Sequence, residues 1–258
     1  MIIRVVDIET CGLPPDNMQV VEIATVDLMS AVDIETPVKN PGTVWTRGRM
    51  WTSLVNPGRP IPPEASAVHH ITDDMVRDAP TIDAVMPMVV ASDAGVLPSQ
   101  FAAHEAKFEK ACLPWLAERI RLCTRKCAAT AWPDAPNHKN QTLRYWLGLK
   151  LVDPTLTAPH RALGDAYVTA AILRRLFTMP VSLDDWMSVS ANPVLLSRFN
   201  FGKHAMQPLA DVPVSYFDWL VNKSGFDDED VIFTARHYLD LARHHQQNRS
   251  PVSPEPPH

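Results

Sequence analysis

Residues 2–6 form an apolar, β-branched run that stops at Asp7, the pattern of a buried strand. Residues 20–28 (VVEIATVDL) and 50–55 have the same texture and predict a second and a third strand. The turn-rich stretch Gly12-Leu13-Pro14-Pro15-Asp16-Asn17 joins the first two as a hairpin connection. The next link, residues 30–48, is long, carries Pro37, Pro41 and Gly42, and reads as an insertion or an extended hairpin tip. Residues 56–63, with four prolines and a glycine, read as a loop. Thr72 ahead of Asp73 and Asp74 reads as an N-cap opening a helix near Met75.

Further along, the pattern predicts a helix over 82–90, a short strand over 100–103 and a helix over 106–120. It then predicts a strand over 120–123, a helix after Thr124, a helix over 140–147 closed by Gly148, and a helix over 165–177. Strands in a run followed by strands mixed with helices imply an α/β or α+β sheet domain over about residues 1–180. After Pro180 the texture changes. Residues 181–245 read as a small C-terminal module, with an aromatic stretch over 200–219 and an amphipathic helix over 227–242. The polar, proline-rich tail, residues 246–258, is expected to be disordered.

The chain of 258 residues has 46% apolar composition, enough for one ordinary domain and an appendage. No apolar stretch approaches the roughly eighteen residues of a membrane span, and residues 1–6 read as a strand, not a signal peptide. Four scattered cysteines (Cys11, Cys112, Cys123, Cys127) read as core residues of a protein in the reducing cytoplasm. The formal net charge of −5 argues against tight nonspecific duplex binding. It says little against a nuclease, whose acidic metal site lowers the total.

Asp7 and Glu9 lie two apart on a strand and share a face. Two carboxylates held so close call for a cation between them, and oxygen ligands suit a hard divalent ion. Alone, the pair reads as a solvated strand end. Asp33-Ile34-Glu35-Thr36 repeats the four letters Asp7-Ile8-Glu9-Thr10 but runs into Pro37 with no long apolar run before it, so it reads as a decoy. His160 and Asp165 are five apart, the first in a loop and the second in an early helical turn. That suits a histidine that takes a proton near neutrality and a carboxylate favoured by a helix N-terminus. Glu105 and Glu109 (in HEAKFE, residues 104–109) share a helix face, which also fits a solvated surface with Lys107 and Lys110.

From residue 2 to about 176 these stretches resemble the DEDDh 3′→5′ exonucleases. The resemblance rests on Asp7 to Leu13, Val21-Glu22-Ile23-Ala24, Asn56-Pro57-Gly58-Arg59-Pro60-Ile61, Val68-His69-His70-Ile71-Thr72, residues 104–109 and residues 160–165, in matching order. Residues 199–203 and 213–220 resemble the appended segment of one bacterial branch of that family. The resemblance implies an RNase H-like mixed five-stranded sheet flanked by helices, and two Mg²⁺ or Mn²⁺ ions about 3.5–4 Å apart. It implies that Asp7 bridges both ions, that Glu9 and Asp165 complete one of them, that Glu109 serves the second, and that His160 is the general base. Thr10, Gly12, Leu13, His104 and Phe108 would contact the substrate's 3′ end. Where the family has Asn and Asp, this chain has Glu105 and Glu109, one methylene longer at the metal-facing position. The expected partner is a DNA 3′ end, single-stranded or overhanging. An RNA-trimming enzyme and a catalytically weakened nucleic-acid-binding protein stay open. Lys203, beside Gly202, is the candidate phosphate contact of the C-terminal module.

Overall fold

Strands β1 (Ile2–Thr10), β2 (Val20–Ser30), β3 (Trp45–Leu54), β4 (Gln100–Ala103) and β5 (Ile120–Cys123) share one sheet in the order β3-β2-β1-β4-β5. β2 pairs antiparallel with both β1 and β3, whereas β1, β4 and β5 run parallel. This is the mixed, helix-flanked RNase H-like sheet. The computed structural model describes residues 1–13, 18–30, 45–91, 95–151, 153, 156 and 158–247. The Asp33–Thr36 repeat, most of the 30–48 link, part of the 12–17 turn and the tail from 248 lie outside the described residues.

The helices are α1 (Pro63–His69), α2 (Asp73–Val76), α3 (Ile82–Val90), α4 (Ala106–Cys112), α5 (Thr124–Ala131), α6 (Asn140–Trp146), α7 (Ala162–Leu176), α8 (Leu183–Ala191), α9 (Val214–Asn222) and α10 (Glu229–Gln247). Alternation along β1 sends Val6 and Ile8 into an apolar cluster with Val85, Val89, Phe101 and Leu113. Asp7 and Glu9 face the other way, where α7 crosses β1, β2 and β3.

Several boundaries differ from those the pattern predicts. β1 continues through Asp7 to Thr10, because the polar residues at its end face the site and still pair with β2. β3 starts at Trp45, inside the expected link. The loop expected over 56–63 gives way to α1 at Pro63, where proline suits the first helical turn. The helix expected over 106–120 ends at Cys112, because Pro114 removes a donor and biases Leu113 away from helical geometry; a single 3₁₀ turn follows.

The chain divides into two compact units, residues 1–131 with 138–192, and residues 132–137 with 193–258. The boundary expected at 180 therefore moves to 192. The reason is α8, which packs on β5 and α5: the Cys123 N–H donates to Ser190 Oγ (2.9 Å) and Lys126 Nζ donates to the Asn192 carbonyl (3.0 Å). The second unit has its own core of Phe199, Leu209, Val212, Tyr216, Phe217, Leu220 and Val231. Most of its aromatic residues pack there, while Trp219 stays 44% exposed. Among the described residues no helix is long and apolar enough to cross a membrane. All four cysteines are free and buried.

Arg4 is fully buried in the middle of β1. Its guanidinium meets both oxygens of Asp27 on β2 (2.6 and 2.7 Å) and donates to the Val89 and Ala91 carbonyls at the end of α3 (2.6 and 2.8 Å). One side chain thus pairs a buried acid and caps a helix C-terminus against the sheet. Asp27→Ala leaves that charge without its counter-ion, and we expect it to lower the unfolding free energy by about 3–5 kcal/mol; urea denaturation of the variant beside the wild type measures this.

Candidate active site

The end of β1 and the first turn of α7 bring three acids together. One carboxylate oxygen each from Asp7, Glu9 and Asp165 lie within 4.8 Å of one another. All three side chains are partly buried. Burial raises the Asp7 pKa well above the usual carboxylate range, and the charges of Asp165, Glu109, Glu9 and Glu22 raise it further. Burial, with Asp165 and Glu22, pushes Glu9 up to about 8, opposed by Arg161. Burial also raises Asp165, against the hydrogen bonds it accepts from Gln141 and His160.

Glu109, from α4, stands outside the group of three but close enough for its charge to act on Asp7. It is 4% exposed, and its Oε2 is buried with no hydrogen-bond partner among the described residues. Burial, with Glu105 nearby, pushes its pKa up to about 8. Glu105 is exposed at the N-cap of α4. An orphaned, buried carboxylate oxygen beside three crowded acids is a donor set that fits hard divalent cations.

His160 sits in the turn before α7 with its side chain exposed and its backbone left-handed (φ 58°). Its N–H donates to Asp165 Oδ2 (2.8 Å). Gln141 Nε2 donates to Asp165 Oδ1 (2.8 Å), and Asn140 Nδ2 donates to the Asp165 carbonyl (3.0 Å) and to Thr169 Oγ1 (2.7 Å). α6 therefore grips the turn that carries Asp165. A Cβ on Gly164 would collide with the Ala158 carbonyl, so only glycine lets the preceding loop lie against α7 here.

The five residues expected to contact substrate fall into different settings. Leu13 is 75% exposed at the end of the segment leaving β1, and Gly12 is half-buried. Thr10 is buried and its hydroxyl donates to the Gly12 carbonyl. Phe108 packs against the apolar core. His104 is buried with both ring nitrogens engaged, Nδ1 with Thr124 Oγ1 (2.8 Å) and Nε2 with the His138 carbonyl (2.9 Å). Burial lowers its pKa to about 4. It ties β4 to α5 and to the loop before α6.

Sequence reasoning assigned no role to Glu22, Arg161, Asn140 or Gln141. Glu22 lies directly across from Glu9 in the β1–β2 register. It accepts from Arg161 Nε (3.0 Å) and Nη2 (2.6 Å) and from the Ala162 N–H (3.0 Å). Its signal was available. Glu22 and Asp27 are the only charges in a mostly apolar strand, and a buried charge requires a partner.

Comparison with known proteins gives the family. The family model described as exonuclease, of the RNase T type, matches residues 5–173. The chain belongs to this exonuclease family. It is 33% identical over 242 residues to exodeoxyribonuclease 10 of Escherichia coli K12, covering 92% of this chain and 99% of that protein. A DNA polymerase III subunit epsilon-like protein of Rhodobacter capsulatus is 31% identical over 183 residues, 67% of this chain and 23% of that protein. The solved structure of exonuclease X in complex with 5′-overhanging duplex DNA superposes with a TM-score of 0.56 at 32% identity, covering 73% of this chain and 99% of that one. As a member of this family the protein is a nuclease, a hydrolase of phosphodiester bonds.

The raised carboxylate pKa values set a pH dependence for the exonuclease fold. An acid whose pKa is higher folded than unfolded favours folding while it is protonated, and that contribution disappears as pH rises through the folded pKa. For Glu9 and Glu109 the window runs from 4.5 to about 8. Without divalent cations, the thermal midpoint should therefore fall across this window. Added Mn²⁺ should raise it most at the alkaline end. Melting curves with and without EDTA check both, and a metal-free midpoint that rises with pH would contradict the charge-crowding account.

Proposed function

We propose that this exonuclease removes nucleotides from DNA 3′ ends in the 3′→5′ direction, releasing 5′-mononucleotides with the help of two divalent cations. The observation that carries the reading is the convergence of Asp7, Glu9 and Asp165 beside the exposed His160. Similarity to an exodeoxyribonuclease over nearly the whole chain supports DNA as the substrate.

In this reading the site is of the DEDDh type. Asp7, Glu9, Asp165 and Glu109 hold Mg²⁺ or Mn²⁺, as an oxygen-only donor set favours. Bound there, the ions supply charge neutralisation at the phosphodiester and at the leaving oxygen. Asp7, grouped with Glu9 and Asp165 and within the electrostatic reach of Glu109, would hold the ions together with all three. His160 takes the proton of the attacking water. Water oxygen joins phosphorus as the bond to the 3′-oxygen breaks, leaving a 5′-phosphate on the released nucleotide and a 3′-hydroxyl on the strand. Leu13 supplies an apolar surface for the terminal base, and the backbone at Thr10 and Gly12 lines the sugar.

In the second unit, Gly202 has a positive φ of 69°, as a tight turn requires, and Lys203 stands over the Tyr216 ring (5.7 Å). Lys203 with the exposed Trp219 is proposed as a contact for the phosphates and bases of the strand. This activity would operate in the cytoplasm on DNA ends arising in repair.

A 3′-labelled single-stranded DNA and an RNA of the same sequence, each with Mg²⁺, Mn²⁺ or EDTA, test the reading. We expect metal-dependent loss of the 3′ label, faster on DNA; faster loss from RNA would reassign the substrate, and binding without cleavage would indicate a weakened enzyme. Asp7→Ala should lower kcat by about 10³-fold or more, the equivalent of several kcal/mol of transition-state stabilisation. Glu109→Asp should keep or raise activity, since it restores the shorter acid; a fall would mean that the site has rebuilt itself around the longer side chain.

A further inference from the structure

We propose that Glu22 is a positioning residue of the nuclease site: with Arg161 it clamps the start of α7 onto β2, and so sets where His160 and Asp165 stand relative to the carboxylates of β1. The inference rests on the function proposed above and adds a residue to it.

Glu22 is 3% exposed and brings a further negative charge to a site already crowded with them. It lies opposite Glu9 in the sheet, where like charges repel. A neutral residue there would relieve that repulsion, so the acid must serve another purpose. It stands outside the group of three acids, and protein donors engage both of its oxygens. Oε1 takes Arg161 Nη2, and Oε2 takes Arg161 Nε and the Ala162 N–H. The two-point guanidinium contact fixes direction as well as distance.

The Ala162 N–H is one of the donors that a helix start leaves without an internal partner. Arg161, the N-cap residue, gives no side-chain cap. Glu22 supplies one from the neighbouring strand. Two residues earlier, the His160 N–H is held by Asp165 Oδ2. The backbone amides on either side of Arg161 are thus each fixed by a carboxylate, one from β2 and one from α7. Between them the left-handed backbone of His160 is locked while its ring stays free to reach solvent. The close approach of Ala158 to Gly164 closes the same turn from the loop side. A shift of α7 along β2 must break the Glu22 contacts first, and it would separate Asp165 from Asp7 and Glu9 in the same movement. Partners that orient the ligands of a metal centre typically change metal affinity or rate by about 10–100-fold when lost.

Glu22→Gln removes the charge at nearly constant shape. Arg161→Met removes the cation but leaves Glu22 its bond to Ala162, and Arg161 is half-exposed, so that variant is expected to fold. Arg161→Lys returns one donor. Two measurements are made on each: kcat and KM on single-stranded DNA, and the Mn²⁺ dissociation constant by calorimetry without DNA. Circular dichroism confirms the fold. A positioning role predicts kcat and Mn²⁺ affinity about 10–100-fold lower in Glu22→Gln and Arg161→Met, KM near the wild-type value, and partial recovery in Arg161→Lys. If Glu22→Gln does not fold, Arg161→Met decides. Wild-type kcat and Mn²⁺ affinity in Arg161→Met would overturn the proposal. So would a loss confined to KM, which would put Arg161 on the substrate. A wild-type protein that cuts no DNA sinks the functional reading instead, and the Mn²⁺ affinities still test the clamp.

Discussion

Carboxylates forced within 4.8 Å of one another repel, and a partly buried setting weakens the screening that water would supply. Left to itself, the end of β1 would splay or bind protons. Splaying is opposed because each acid is anchored from behind, and without a cation the crowding is relieved by protons instead, as the raised Asp7, Glu9 and Glu109 pKa values reflect. Asp7 and Glu9 are fixed by the β1–β2 ladder, Asp165 by Gln141 and the His160 amide, and Glu109 by its burial on α4. The repulsion is therefore held as a potential that a divalent cation relieves. Pre-organised charge of this kind is what a site needs to stabilise a phosphoryl group in transfer.

The scaffold around the acids shows the same economy. Two arginine–carboxylate pairs tie the sheet to its helices, the fully buried Arg4–Asp27 to the end of α3 and Arg161–Glu22, buried on its acid side only, to the start of α7. Both acids come from β2, five residues apart on opposite faces. Each pair also satisfies helix-terminal backbone groups, carbonyls in one case and an amide in the other. Polar residues in an apolar strand thus set the position of a helix on each side of the sheet.

Much of this was legible in the sequence. Apolar runs placed β1, β2, β4 and β5, and the turn glycine at 148 ended α6 where expected, with φ of 60°. The i, i+2 spacing of Asp7 and Glu9 put them on one face of β1, and the fold brings Asp165 to the same place. What escaped notice depended on long-range pairing. Arg4 in a buried strand makes sense only once Asp27 stands opposite it, and Glu22 only once residue 161, far away in sequence, folds back on it. His104 opens the stretch 104–109 that carries part of the family resemblance, but its contacts with Thr124 and the His138 carbonyl could not be read from that stretch. Proline at 114 was a local signal that the helix pattern around it masked.

The left-handed backbone at position 160 bears on how the site can change over time. A β-branched residue there would lose the imidazole and strain the turn as well. Asparagine or glycine would remove the imidazole and leave the backbone at ease. Drift at this position is therefore steered towards residues that preserve the architecture, and under the proposed mechanism those same residues would silence the chemistry.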